Sequence, residues 1–214
     1  MSRAQYLLVG LLAVSTAVGA WVVPPAFCNG IDCPQYTTLC KSSKFEIRSY
    51  PAAQWVSTQF QGPGTSDFES SGQEGFQRCF NYITGANAAG EQINMTAPVT
   101  NKIVPGSGPN CNTTFTVSFF IPFYAQGSAP KPTDPNVYIR NQQNLTVAVR
   151  SFGGFVIDWS LSVVPELLAL GNALTEAGIS FSQQQEWVSQ YDGPYTIFNR
   201  HNEVWYEVDP TSKC

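Results

Sequence analysis

The amino-acid sequence contains an internal repeat. A shift of 92 positions superposes four residues of one half on identical residues of the other: Ile47, Arg48, Phe60 and Gly62 on Ile139, Arg140, Phe152 and Gly154. A predicted helix follows each matched stretch at the same offset. Because neither copy alone offers a large enough core, the repeat predicts one α+β domain in which two similar halves share a sheet.

Alternating apolar and polar residues predict the strands of both halves. In the first half they indicate strands at 44–50 and 54–60, joined by a turn at Pro51-Ala52-Ala53. Further strands are predicted after the helices, at 114–121, 186–191, 196–199 and 203–208. Each unit therefore consists of a hairpin, a helix and more strands.

The first helix has clear end signals. Ser66 and Glu69 have capping-box spacing, and Gly85 follows the last turn as a residue that tolerates positive φ. Its apolar stripe at i, i+4 and i+7 comprises Phe76, Phe80 and Ile83. Such a stripe is expected of any helix that packs on a sheet, so core packing is its first interpretation. The second helix has a similar face and closing glycine: Leu167, Leu170, Leu174 and Gly178.

The first twenty residues are typical of a secretory signal peptide. Arg3 precedes an apolar run at 6–14, and small residues end at Ala20. An uncleaved anchor is the alternative, but the run is short for a bilayer, and no later segment is apolar enough to span one. Cleavage leaves an acidic chain of net charge −5, predicted to be secreted or to stay in the lumen of the secretory pathway.

All six cysteines lie beyond this signal, and an even number in an oxidising compartment predicts disulfides. They are Cys28, Cys33, Cys40, Cys79, Cys111 and Cys214. Zinc binding by the first three is the rival interpretation, but their spacing matches no common finger. Residues 21–43 form a cysteine-containing extension before a single domain at 44–214. Three glycosylation sequons are also present, at Asn94, Asn112 and Asn144.

Charge and motif content exclude several classes of function. The eleven basic residues are scattered singly, which argues against nucleic-acid binding. His201 is the only imidazole, and no nucleophile motif occurs. Cys79 could act as a nucleophile, but a disulfide or core position is favoured. The carboxylates form no recognisable acid–base pair. The sequence therefore indicates a binding protein rather than an enzyme.

Several segments resemble one known family. They are Glu46-Ile47-Arg48-Ser49-Tyr50, Trp55-Val56-Ser57-Thr58, Met95-Thr96-Ala97-Pro98-Val99-Thr100, Pro105-Gly106-Ser107-Gly108-Pro109, Val149-Arg150-Ser151-Phe152 and Asn202-Glu203-Val204-Trp205. Together they resemble the SOUL haem-binding family, in order and over nearly the whole mature chain. The resemblance implies a twisted, β-barrel-like sheet flanked by two helices with pseudo-two-fold symmetry.

The resemblance also implies a tetrapyrrole ligand, haem or a related porphyrin, in an apolar groove beside the first helix. The positions that would meet it are Phe76, Phe80, Ile83 and Tyr82, with His201 or Tyr82 as a candidate iron ligand. Some relatives carry His where this chain has Ser49, so iron cannot be bound there. The leading interpretation is a secreted, non-enzymatic porphyrin-binding protein. The alternative is a protein–protein interaction module with a vestigial groove.

Overall fold

A computed structural model describes residues 24–63, 68–107 and 111–214. The predicted signal peptide and Ser66 of the predicted helix cap lie outside these ranges. The described residues form nine strands and two α-helices: β1 (Thr37–Lys41), β2 (Glu46–Tyr50), β3 (Ala53–Pro63), α1 (Phe68–Ile83), β4 (Val99–Val104), β5 (Asn112–Phe120), β6 (Val137–Gln142), β7 (Leu145–Phe152), α2 (Val164–Glu176), β8 (Phe181–Gln190) and β9 (Asn202–Val208).

The strands form one antiparallel sheet in the order β1-β2-β7-β9-β8-β4-β5-β3-β6. Exchanging β2 with β6, β3 with β7, β4 with β8 and β5 with β9 reverses the order of these eight strands. A pseudo-two-fold axis therefore passes between β4 and β8, which confirms the duplicated α+β fold. The sheet is open, because β1 and β6 are its edges.

The predicted hairpins are wrong in their pairing. Strand β2 pairs with β7 and β3 pairs with β6, so each of these strands has one neighbour from the other half instead of pairing with its sequence neighbour. The backbone N–H of Ala52 donates to the Oδ1 atom of Asn144 at 2.8 Å. This bond links the β2–β3 connection to its equivalent in the other half, the β6–β7 connection. A short connection shows that two strands follow each other in sequence, but not that they are neighbours in the sheet.

The strand predicted at 196–199 is absent, because these residues belong to the loop between β8 and β9. The Arg200 guanidinium donates to the carbonyls of Asp192, Gly193 and Thr196 at 2.7–2.9 Å. These bonds fold the loop backbone around the Arg200 side chain, so no extended segment is available for pairing in the sheet. Strands β1 and β4 are additional elements that the alternation did not reveal.

Both helices pack on the same face of the sheet, α1 on β3 and β5, and α2 on β7 and β9. The predicted face of α2 is confirmed, since Leu167, Leu170 and Leu174 are buried. In α1 the buried stripe contains only Ile83 of the three predicted residues. Its members are Ser71, Gly75, Cys79, Tyr82 and Ile83. Phe76 and Phe80 lie beside that stripe and are partly exposed.

Gly75 lets α1 approach β5 closely. A Cβ atom at this position would lie 2.3 Å from Cγ2 of Val117. We expect Gly75→Ala to lower the free energy of unfolding by about 1–3 kcal/mol through overpacking, as measured by urea unfolding. At Gly72 a Cβ would be 3.9 Å from Oδ1 of Asn101, so Gly72→Ala is the matched control and should stabilise the protein by up to about 1 kcal/mol. Equal effects would contradict the close approach.

Four of the six cysteines form disulfides, Cys28 with Cys33 and Cys40 with Cys214. The other two are free thiols and depart from the prediction. The Cys79 side chain is buried under α1 and lies 3.8 Å from the carbonyl oxygens of Val56 and Val117, so no second sulfur has access to it. Cys111 is exposed at the start of β5, 3.5 Å from the Ser107 hydroxyl.

Candidate functional site

The exposed side of α1 carries two stacked aromatic rings. The ring centroids of Phe76 and Phe80 are 5.8 Å apart with an interplanar angle of 12°, and the side chains are 37% and 38% exposed. Below them, Phe119 of β5 lies 5.2 Å from the Phe76 ring. We call Phe76, Phe80 and Phe119 the α1 face. It is an apolar surface in which Phe76 and Phe80 are partly open to solvent and Phe119 is buried beneath them.

The α1 face is on the side of the helix that looks toward the middle of the sheet. Gly72, one turn before Phe76, lies above Asn101 of β4. On the opposite side, Arg78 reaches Thr58 and the ring of Phe60. Strands β4 and β8 separate the strand pairs that carry the two helices. Four strand spacings separate the centre of the β7–β9 pair from the centre of the β5–β3 pair, a distance of roughly 19 Å. Helices in direct contact have axes about 8–10 Å apart. The α1 face therefore borders the region between the two helices, where the underlying strand residues Ile103 and Val188 are buried.

Tyr82 and Ile83 do not join the α1 face. Tyr82 is 1% exposed, and its hydroxyl donates to the carbonyl of Pro130 at 2.8 Å. Burial raises the pKa of Tyr82 to about 12. Ile83 packs in the same core cluster. The phenol oxygen thus already has a backbone partner and stays protonated at neutral pH.

His201 lies on the other face of the sheet, beside a buried carboxylate. Its Nε2 atom is 2.8 Å from Oε1 of Glu203, and its ring stacks on Phe27 at 4.1 Å. The His201 ring is only partly exposed. The five predicted cofactor residues are therefore split, with only Phe76 and Phe80 forming a common exposed surface.

Glu203 is the centre of a buried polar cluster. It is 0% exposed and contacts four other side chains within 2.8 Å: Arg48, His201, Tyr191 and Trp205. Burial alone would raise the pKa of Glu203, but the His201 contact and the Arg48 charge hold it below its usual value. Burial likewise disfavours the charge on Arg48, yet the adjacent Glu203 carboxylate raises the pKa of Arg48. Both groups are therefore charged at neutral pH.

The cysteine-containing extension covers this cluster. The Arg48 guanidinium is 4.3 Å from the ring centroid of Tyr36 and 5.8 Å from that of Phe27. Asn29 donates to the Tyr191 carbonyl at 3.2 Å. The extension thus supplies aromatic walls to a site whose charges come from the domain.

Sequence reasoning missed this cluster because its carboxylate was sought as half of an acid–base pair. A usable signal was present, since Arg48 and Glu203 each stand next to large apolar residues in a predicted strand, Arg48 after Ile47 and Glu203 before Val204 and Trp205. A charged residue in a buried strand needs a partner of opposite sign. The carboxylate has no free hydrogen-bonding capacity left, so its geometry indicates a structural role.

A separate recess lies along edge strand β6 and the proline-rich segment 129–135. Its volume is about 750 Å³, which is in the range of small-molecule sites. Its walls are mixed in character and include Lys131, Asp134, Tyr138 and Asn141. A tetrapyrrole site at this recess would be a specific alternative to the α1 face.

Within the described ranges, no group of three His, Cys, Asp or Glu side chains is placed to hold a metal ion. No α-helix in that part of the chain combines the length and apolarity needed to cross a bilayer. The asparagines of the three sequons, Asn94, Asn112 and Asn144, are all exposed.

Comparison with known proteins agrees with this arrangement. A family model described as SOUL heme-binding protein matches residues 31–207. The chain belongs to the SOUL haem-binding family. Human heme-binding protein 2 is 39% identical over 161 residues, which cover 75% of this chain and 76% of the relative. Heme-binding protein 1 of Xenopus laevis is 28% identical over 162 residues, covering 76% of this chain and 82% of the relative.

The fold is also found outside the SOUL family. The crystal structure of the EcmrR C-terminal domain superposes with a TM-score of 0.58 and 12% sequence identity, covering 81% of this chain and 98% of that domain. At this identity the likeness concerns the fold alone. The relatives within the family are named as haem-binding proteins, so family membership indicates haem or tetrapyrrole binding rather than a particular catalytic reaction.

Proposed function

We propose that this SOUL-family chain is a secreted, non-enzymatic carrier of haem or a related porphyrin, and that the α1 face is the contact surface. Family membership supports the ligand class. The half-open aromatic stack of Phe76 and Phe80 supports the location, because a porphyrin is a flat apolar disc and stacks on exposed rings. The stack is the single observation that carries this assignment.

The iron ligand in this proposal is not His201. The imidazole Nε2 already contacts Glu203, and the ring lies on the face of the sheet opposite to α1. Tyr82 is bound to a carbonyl in the core. The chain therefore holds the macrocycle through apolar contact. His201 and Tyr82 keep their hydrogen-bond partners within the protein.

Export is part of the proposal. The segment at 1–20 supplies the signal, and the two disulfides suit an oxidising compartment. The exposed asparagines of the sequons, chiefly Asn112 and Asn144, suit glycosylation.

The test is a hemin titration of protein recovered from the medium of secreting cells. We expect the mature chain to begin at residue 21, to shift the Soret band and to quench the tryptophan fluorescence at micromolar hemin. Phe80→Asp places a charge in the aromatic stack and should weaken binding about 10-fold or more, since an apolar contact is replaced by a desolvated charge. His201→Ala should leave the Soret position unchanged.

Tyr138→Asp is the discriminating control. Tyr138 is as exposed as Phe80, at 38%, but it lines the β6 recess. If Tyr138→Asp weakens hemin binding and Phe80→Asp does not, the ligand occupies the recess and the α1 assignment is wrong. No Soret shift at tens of micromolar hemin would instead favour an interaction module with a vestigial groove.

A further inference from the structure

Two loops at one end of the sheet expose large apolar side chains. They connect β7 to α2 and β8 to β9. Their exposed apolar residues, together called the loop-tip surface, are Phe155, Ile157, Leu161, Tyr195, Ile197 and Phe198. The exposed fractions run from 46% for Phe155 to 94% for Tyr195. Six such residues on two loops form a concentrated apolar surface rather than scattered exposure.

The two loops are fixed to one another by buried polar groups. Arg200 is 8% exposed, and besides bonding the β8–β9 loop its guanidinium lies 4.4 Å from the Phe155 ring centroid. The Asn202 side chain donates to the Gly154 carbonyl at 2.8 Å. These contacts hold the loop backbones from beneath. The loop backbones are thus fixed, and their apolar side chains remain exposed to solvent.

The loop-tip surface carries almost no charge. Residues 153–163 contain one charged side chain, Asp158, and residues 193–199 contain none. The Asp158 carboxylate accepts the Leu161 backbone N–H at 2.8 Å and caps the turn before α2. Protein interfaces have a polar rim, and anionic bilayers are recognised by clustered basic residues. The two loop segments contain no basic residue, and their exposed polar side chains, Asp158, Ser160 and Asn199, bring a single negative charge.

We propose that the loop-tip surface docks on a zwitterionic lipid–water interface such as phosphatidylcholine. Projecting tips cannot enclose a small ligand, but aromatic and aliphatic tips enter the interfacial region of a bilayer. The net charge of −5 expected for the mature chain opposes anionic lipids and leaves a neutral surface as the complementary one. This docking goes beyond porphyrin binding and uses other residues.

The experiment is flotation of the mature, haem-free protein with phosphatidylcholine vesicles. We expect the wild-type protein to float with them, with little dependence on salt. The variant Ile157→Ser/Leu161→Ser/Ile197→Ser/Phe198→Ser should bind at least about 10-fold more weakly, because each removed side chain loses apolar burial. The control Leu39→Ser/Tyr138→Ser removes exposed apolar residues elsewhere and should float like the wild type.

A second readout does not depend on the fold of the multiple variant. Brominated phosphatidylcholine should quench the added fluorescence of Phe198→Trp but not that of Leu39→Trp. The proposal is overturned if the wild type does not float, or if the serine variant floats equally well. It is also overturned if phosphatidylglycerol binds more tightly in a salt-sensitive way, or if the wild type is a dimer that the serine variant dissociates. Because hemin is absent, these results are independent of the porphyrin titration.

Discussion

Glu203→Gln is expected to lower the free energy of unfolding by about 3–5 kcal/mol, the usual effect of removing one partner from a buried ion pair. The substitution keeps the size of the side chain and removes its charge. Among the described residues, Arg48, with a side chain 3% exposed, then retains only Glu46 as an anionic partner. Urea unfolding at pH 7 measures the loss.

The matched control is Glu176→Gln, the same chemical change at an exposed ion pair with Lys44. We expect it to cost less than about 1 kcal/mol. A double variant, Arg48→Met/Glu203→Leu, should lose less than either single substitution, because no uncompensated charge is left in the core. A cost for Glu203→Gln no larger than that of Glu176→Gln would show that the cluster does not stabilise the fold.

The pH dependence of stability follows from the same cluster. The pKa of Glu203 in the folded protein is below its ordinary value of 4.5, so the unfolded chain takes up a proton first on acidification. The carboxylate therefore stabilises the fold fully above pH 4.5, and this contribution is lost as the pH falls through the folded pKa. The stability gap between wild type and Glu203→Gln should shrink below that pH.

The repeat was enough to predict the architecture, because superposed copies imply a symmetric sheet with one helix per copy. It could not predict that β2 and β3 do not pair with each other and that each has one strand partner in the other half. Hydrophobic alternation specifies which side of a strand is buried, but it carries no information about the neighbouring strand. The loop at 196–199 was mistaken for a strand because its apolar residues, Ile197 and Phe198, face solvent instead of a core.

The candidate site was only partly accessible to sequence reasoning. The i, i+4, i+7 stripe located α1 and its buried residue Ile83. Its other two positions, Phe76 and Phe80, each lie one residue after a buried position, Gly75 or Cys79. The reason is Gly75, whose missing side chain draws the helix onto β5 at that position. Phe76 and Phe80 consequently lie beside the buried stripe of α1 and not within it. The Glu203 cluster, by contrast, joins residues from strands β2 and β9 and from the β8–β9 loop. Arg48 is 155 residues away from Glu203 in the sequence, so no local pattern reveals the contact.

Removing the Cys40–Cys214 disulfide should cost about 5 kcal/mol if the bond acts by restricting the unfolded chain, because it closes by far the longer loop. Its sequence separation is 174 residues, against 5 for Cys28–Cys33. The same relation gives about 2 kcal/mol for the short loop. Urea unfolding of Cys40→Ser/Cys214→Ser and of Cys28→Ser/Cys33→Ser measures the two losses.

The bond also ties the edge of the sheet to the end of the chain, since Cys40 lies in β1 and Cys214 follows β9. Counting the reactive thiols in each variant shows whether its remaining disulfide is intact. Cys111 is exposed and should react with a thiol reagent in the native protein, whereas burial raises the pKa of Cys79 to about 12 and should delay its reaction until unfolding. One native thiol and two denatured thiols in both variants exclude disulfide exchange. With that count in place, equal losses for the two disulfides would contradict the loop-length argument and indicate that local packing around Cys28 and Cys33 dominates instead.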